Sequence, residues 1–237
     1  MPFGWFDMNW PWIGLFIAAI LLVVLFGTDA LRGERSVSRW RDPRWLAWLA
    51  PAGYMLHQTE EYGVDMLGQF FAFPNLVCAT FGQPPYPDCA YPPSLYVAIN
   101  IPVIWIAGLI CALLSRRYPL VGLGLYGVHF VNALSHIGMF AATGDYNPGV
   151  LTAFVVLLPL SVWVAFATWK NPLIGRSGIA TIFLAGLLVN GVLAASLVAF
   201  SRGLISGDTL IGIQLFNFLW SPLIPWLKDW HSQQGRR

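Results

Sequence analysis

Apolar runs close to or above the roughly 18 residues that mark a spanning helix recur along the chain from end to end, and the charged residues collect in the short breaks between them. The pattern predicts seven helices: about Trp12 to Leu31, Pro43 to Phe73, Ser94 to Leu114, Pro119 to Ala142, Gly149 to Trp169, Gly178 to Phe200 and Asp208 to Leu227. Pro43 suits a first helical turn, where its missing amide hydrogen has no intrahelical partner to lose. The segment Pro74 to Pro93 holds Pro74, Pro84, Pro85, Pro87, Pro92 and Pro93, and reads as a long loop that cannot be a helix interior. Its length makes it a lid or an entrance. Pro222 and Pro225 interrupt the last turns of the seventh helix.

Composition strengthens this picture. Of 237 residues, 57% are hydrophobic and 10% charged, against about 25% charged in an ordinary soluble domain. A soluble core of this size cannot hide so much apolar surface, so the expected fold class is an all-α, polytopic transmembrane helical bundle forming one domain, 1–237. The first apolar stretch has no Lys or Arg before it and a basic cluster after it, the reverse of a cleavable signal, and is read as a mature helix. A net charge of +2, with basic residues in inter-helix loops, excludes a nucleic-acid partner.

Charge also sets the expected orientation. Arg32, Arg35, Arg39, Arg41 and Arg44, then Arg116 and Arg117, Lys170 and Arg176, and Lys228, Arg236 and Arg237 fall on one side, and only Arg202 falls on the other. The bias of Lys and Arg toward the cytoplasm places the N-terminus outside and the C-terminus in the cytoplasm of a cell inner or plasma membrane. The Pro74 to Pro93 loop is then external, where a Cys78 to Cys89 disulfide can form.

Ionisable groups inside a bilayer are costly and are read by default as functional. The second helix carries His57, Glu60 and Glu61, with Asp65 one turn further along; the fourth carries His129, Asn132 and His136. Spacings of three, four and seven put each set on one helix face. With a rise of about 1.5 Å per residue, His57 lies roughly 20 Å and Glu61 roughly 25 Å into the second helix, while His129, Asn132 and His136 lie at about 16, 21 and 27 Å in the fourth. Asn100 and Gln214 fall close to the same layer, roughly 10 Å from the external surface. The stripes therefore define a polar chamber in the outer half of the bilayer. Imidazole and carboxylate without thiolate favour a hydrolytic zinc or a non-haem iron centre.

The most economical site uses His57, His136 and one glutamate as ligands and the other glutamate as general base. Glu60, one turn from His57, is the expected ligand and Glu61 the expected base. A two-metal arrangement with both glutamates and His129 also fits. Tyr146 is placed to act as an acid or to bind a head group, Asn132, Asp65, Asn100 and Gln214 support the chamber, and His231 belongs to a solvated tail. Gly122, Gly124, Gly127, Gly186 and Gly191 read as close helix contacts.

These motifs resemble an integral-membrane family named for HxxEE, which also carries a second histidine and a YxPG motif. Here they read His57, Glu60 and Glu61; His136 within Asn132-Ala133-Leu134-Ser135-His136; and Tyr146-Asn147-Pro148-Gly149. All three occur in order over the second to fifth helices, and His129 lies outside them. The family has no settled activity, so the resemblance implies a membrane-embedded site without naming a reaction. The residues point to a metal-dependent membrane enzyme, first a hydrolase, acting on a lipid-like or apolar small molecule. The alternatives are a non-haem iron oxidase and a proton- or cation-coupled transporter using the same groups. The last is weakened because no inverted pair of broken helices is evident.

Overall fold

In the computed structural model, which describes residues 4–234, the chain is all-helical. Eight helices follow one another: α1 Trp5–Gly27, α2 Pro43–Gln58, α3 Ala72–Thr80, α4 Pro93–Leu114, α5 Pro119–Thr143, α6 Val150–Thr168, α7 Gly175–Ser201 and α8 Gly207–Gln234. Six of them, all but α2 and α3, are long and apolar enough to cross a membrane. The polar helix α2 is instead buried among them along most of its length.

α2 starts where Asp42 caps it. One carboxylate oxygen accepts from the amides of Arg44 at 3.0 Å and Trp45 at 3.4 Å, and the other from Gly33 at 2.7 Å and Glu34 at 3.2 Å. The cap thus satisfies the helix's orphan donors and pins the preceding loop with the same side chain. At its far end α2 does not run to Phe73 as its sequence suggests. It widens into a π turn, Thr59–Gly63, closed by the Val64 amide on the Thr59 carbonyl at 2.9 Å, and stops there. Two more π turns interrupt α4 at Ile101–Ile106 and α6 at Ala153–Leu157. Such bulges are frequent at functional sites, and those in α2 and α6 flank the cluster described below.

The expected loop from Pro74 contains α3. Pro74 lies in that helix's first turn, where a missing amide costs nothing, so the proline marks a helix start. A disulfide joins Cys78 in α3 to Cys89. In α8 the interruption falls at Phe218 and Leu219, before Pro222 and Pro225, which both lie within the helical segment Trp220–Gln234.

Gly33 and Asp42 of the α1–α2 connection, Arg44 at the start of α2, Ser115 and Arg116 of the α4–α5 connection and Asn171 of the α6–α7 connection line one recess, so these connections meet at one end of the bundle. α8 returns to that end, where the Asp229 carboxylate accepts from the amides of Leu120 at 3.0 Å and Val121 at 3.2 Å at the start of α5. Tyr91 and Phe200, with ring centroids 5.2 Å apart, bring the loop after α3 to the end of α7.

Glycines set the tightest crossing. A Cβ on Gly127 would lie 1.9 Å from the Ile182 carbonyl oxygen, and one on Gly186 would lie 2.1 Å from that of Gly127, so α5 and α7 touch backbone to backbone. Gly122 and Gly124 are likewise closed in, against Ser115 and the Ser221 carbonyl. Gly191 differs from the expectation, because nothing lies within 4 Å of its missing side chain.

Candidate functional site

α2 and its π turn, α5 and the start of α6 bring three ionisable groups to one point. The Glu61 carboxylate lies between two imidazoles, with Oε2 3.4 Å from His57 Nε2 and Oε1 3.2 Å from His136 Nε2. One donor atom from each of the three falls within 4.8 Å of the others, and all three residues are buried.

The surrounding hydrogen bonds decide what these groups present to one another. Thr152 Oγ1 donates to Glu60 Oε2 at 2.5 Å, so toward His57 Nδ1, 2.7 Å away, it can only accept. The His57 proton therefore sits on Nδ1 and leaves Nε2 bare. Asn147 donates to the His136 carbonyl at 3.0 Å, which turns its own carbonyl oxygen toward His136 Nδ1 at 2.8 Å. That holds a proton on Nδ1, so the neutral ring turns the Nε2 lone pair toward Glu61. Outer partners of this kind set the tautomer of ligating histidines in metalloproteins. Asn132 Nδ2, 2.8 Å from His57 Nε2, donates to that lone pair and has to turn aside for a cation to take it.

The neighbouring glutamates are treated differently. Glu60 accepts from the Tyr146 hydroxyl at 2.8 Å, the Leu151 amide at 3.2 Å, and the amide and hydroxyl of Thr152 at 2.7 and 2.5 Å. Its charge is met by the N-terminus of α6, the positive end of a helix dipole. Glu61 has no such donors. Its hydrogen-bond and ion-pair partners among the described residues are the two imidazoles, each offering a lone pair. When both rings are neutral, the Glu61 carboxylate therefore meets two imidazole lone pairs, an arrangement that a proton or a metal cation resolves.

Gly149 makes the convergence possible. Its φ of 93° is a left-handed value that side chains avoid, and a Cβ there would lie 2.8 Å from both His136 Cε1 and His57 Cε1 and 3.0 Å from Glu61 Cγ.

The whole arrangement therefore rests on a histidine, a glutamate pair, a second histidine and a Tyr-x-Pro-Gly turn, all within one continuous segment. Residues 48–164 match the family described as protein of unknown function with HXXEE motif. This segment belongs to the HXXEE family. No curated protein and no solved structure matches the chain. The HXXEE segment contains every residue that touches Glu60 or Glu61 through a hydrogen bond or ion pair given above.

The remaining expected site residues divide into near and far. Among the ligands expected from sequence, His57 and His136 meet at Glu61, the residue expected to be the base, whereas Glu60 faces α6. The sequence reading gave the two glutamates the opposite places, since i,i+3 and i,i+4 spacings put both Glu60 and Glu61 near His57 and do not choose between them. His129 stands apart, packed between Tyr54 and Tyr126 with ring centroids 5.2 and 5.1 Å away, and neither ring nitrogen makes a hydrogen bond of good geometry. A two-metal set including His129 is not assembled. Tyr146 is held at both lone pair and proton, accepting from the Met66 amide at 3.2 Å while donating to Glu60. Burial pushes its hydroxyl well above the usual range, which keeps it a neutral donor.

Asp65 caps the turn after α2, accepting from Leu67 at 2.9 Å and Gln69 at 2.8 Å. Asn100 accepts from Gln58 at 2.9 Å beside the cluster, and Gln214 bonds Ser196 at 2.7 Å, away from it. Thr152 and Asn147 were not singled out as separate site residues. Asn147 lies inside the Tyr-x-Pro-Gly turn, and Thr152 has only its place one turn after Gly149 to mark it.

Proposed function

We propose that the chain is a membrane-embedded enzyme whose His57, Glu61 and His136 hold a divalent transition metal, zinc or iron, and act on a lipid-like or apolar small molecule. The observation that carries this reading is the meeting of two buried imidazoles with the Glu61 carboxylate, one donor atom from each lying within 4.8 Å of the others. Two histidines and one glutamate form a ligand set that leaves positions open for water or substrate. Such a metal supplies Lewis acidity and an activated water, or, as iron, oxygen chemistry. Glu60 and Thr152 then orient His57, and Asn147 orients His136.

Hydrolysis is the first reaction to test, since a cavity lined in part by Glu61, Asn132 and Tyr54 has polar walls suited to water. Iron-dependent oxidation is favoured by a different observation. Glu60 and Tyr146, the other acid and base groups nearby, are fully engaged in hydrogen bonds, and an oxidation asks less of a free base.

Elemental analysis of protein purified without chelator tests the proposal and separates the two chemistries. One ion per chain is expected in the wild type, with loss in Glu61→Gln, His57→Ala and His136→Ala. Glu60→Gln should retain the site with affinity lowered by about 10- to 100-fold, as for other changes behind a ligand. Well-folded wild type free of metal would overturn the reading and leave the same groups as a proton relay.

A further inference from the structure

Beside Glu61 the bundle encloses a cavity of about 60 Å³, bounded by α2, α3, α4, α5, α7 and α8. Its apolar wall includes Val103, Ile104, Val128, Val189, Leu193 and Leu197. No Lys, Arg or Asp lines it, and Glu61 is its one acidic group. An anion would lose its hydration there with no Lys or Arg to replace it, and for a cation the one acidic group, Glu61, is already engaged by the two imidazoles. An uncharged ligand meets neither cost.

Two residues that line this cavity each carry a polar atom without a partner. The Tyr96 hydroxyl and Asn217 Oδ1 make no hydrogen bond, although both residues are only 3% exposed. The Asn217 amide cannot rotate to relieve this, because its Nδ2 already donates to the Val189 carbonyl at 3.0 Å and to Gln214 Oε1 at 3.2 Å. Gln214 is anchored in turn by donating to Ser196 at 2.7 Å. The network therefore holds a bare acceptor in place on a residue of the cavity wall. A buried acceptor left unpaired costs about as much as a lost hydrogen bond, so a partner is expected to supply a donor. Asn190, which also lines the cavity, instead donates to the Gly186 carbonyl at 3.0 Å.

From the unpartnered Tyr96 hydroxyl and Asn217 carbonyl, on two residues of one largely apolar cavity beside Glu61, we infer that the cavity takes the hydroxyl- or amide-bearing end of an uncharged, lipid-like molecule. The inference names a substrate class and so rests on the catalytic reading above. An O–H or N–H on the ligand meets Asn217 Oδ1, and the Tyr96 hydroxyl donates to a ligand oxygen. The cavity is small, about 60 Å³. Only a few heavy atoms of the ligand enter, and its apolar chain extends between the helices. Tyr96 lies within the family segment, whereas Asn217 lies beyond it in α8. The metal ligands and one half of this recognition pair thus belong to different parts of the chain.

The test uses the full chain in phosphatidylcholine nanodiscs with three probes of equal chain length: 1-decanol, decyl methyl ether and decanoate. Binding is read from the ligand-dependent rise in the unfolding midpoint. Decanol should bind about tenfold more tightly than the ether, since the ether leaves Asn217 Oδ1 unpaired, and decanoate should bind most weakly. Asn217→Leu should abolish the preference for alcohol over ether. Tyr96→Phe should reduce it, and serves if Asn217→Leu fails to fold. Equal affinity for alcohol and ether in folded wild type, or tightest binding of decanoate, would overturn the inference. The same measurement on His57→Ala separates this outcome from failure of the metal reading, because the alcohol preference should persist there whether or not wild type holds metal.

Discussion

Thr152 links the two glutamates' separate roles. Its hydroxyl takes the His57 proton contact and passes its own to Glu60, so one small side chain fixes which imidazole nitrogen faces Glu61. Thr152→Val keeps the shape and removes the hydroxyl. It should lower metal affinity by about 10- to 100-fold, with Thr152→Ser restoring most of it, as measured by competition with a chelator of known affinity. Equal affinities in wild type and Thr152→Val would remove Thr152 from this orienting role. The sequence was informative about the cluster at this scale because charge inside an apolar helix is conspicuous. His57, Glu61, Asn132 and His136 were placed at one depth by counting residues, and they do meet. Thr152 was not legible, since threonine is an ordinary resident of apolar helices and its partners lie 92 and 95 residues away in sequence.

Local irregularities of the helices carry most of what the sequence concealed. A period of 3.6 residues cannot reveal a π turn, and the one at Thr59–Gly63 carries both glutamates. Proline misled in the opposite direction, since Pro74 opens α3 where a loop was expected. α3 matters to the site because Phe73 lies with its ring centroid 5.9 Å from that of His136, and Phe73 and Val77 line the cavity. The Cys78–Cys89 bond ties this short helix to the chain that leads into α4. Cys78→Ser together with Cys89→Ser should lower stability by about 2–4 kcal/mol. The loss should be concentrated in α3, read as faster amide exchange over residues 72–80 than in wild type. Unchanged exchange there would mean that packing alone holds the helix.

Over the whole molecule, the hydrophobic pattern located six of the seven expected spans, and the second, Pro43 to Phe73, is not among the helices apolar enough to cross a membrane; the six begin and end within a few residues of an expected helix, apart from the early start of α1 and the late end of α8. The orientation argued from basic residues is a prediction of its own. Ten of the twelve residues expected on the cytoplasmic side lie within the described chain, and Arg236 and Arg237 lie outside it. Ser38→Cys should resist a membrane-impermeant thiol reagent in intact cells, and Gly68→Cys, in the turn after α2, should react. The reverse pattern would invert the topology. The glycine crossing of α5 and α7 bears on how such a bundle could admit a guest. With main chain against main chain at Gly127 and Gly186, that pair has no slack to slide or part without breaking its closest contact, and behaves as a fixed doorpost. Any widening of the chamber falls to the other walls, and α8, already broken beside Asn217, is the wall with a ready-made joint.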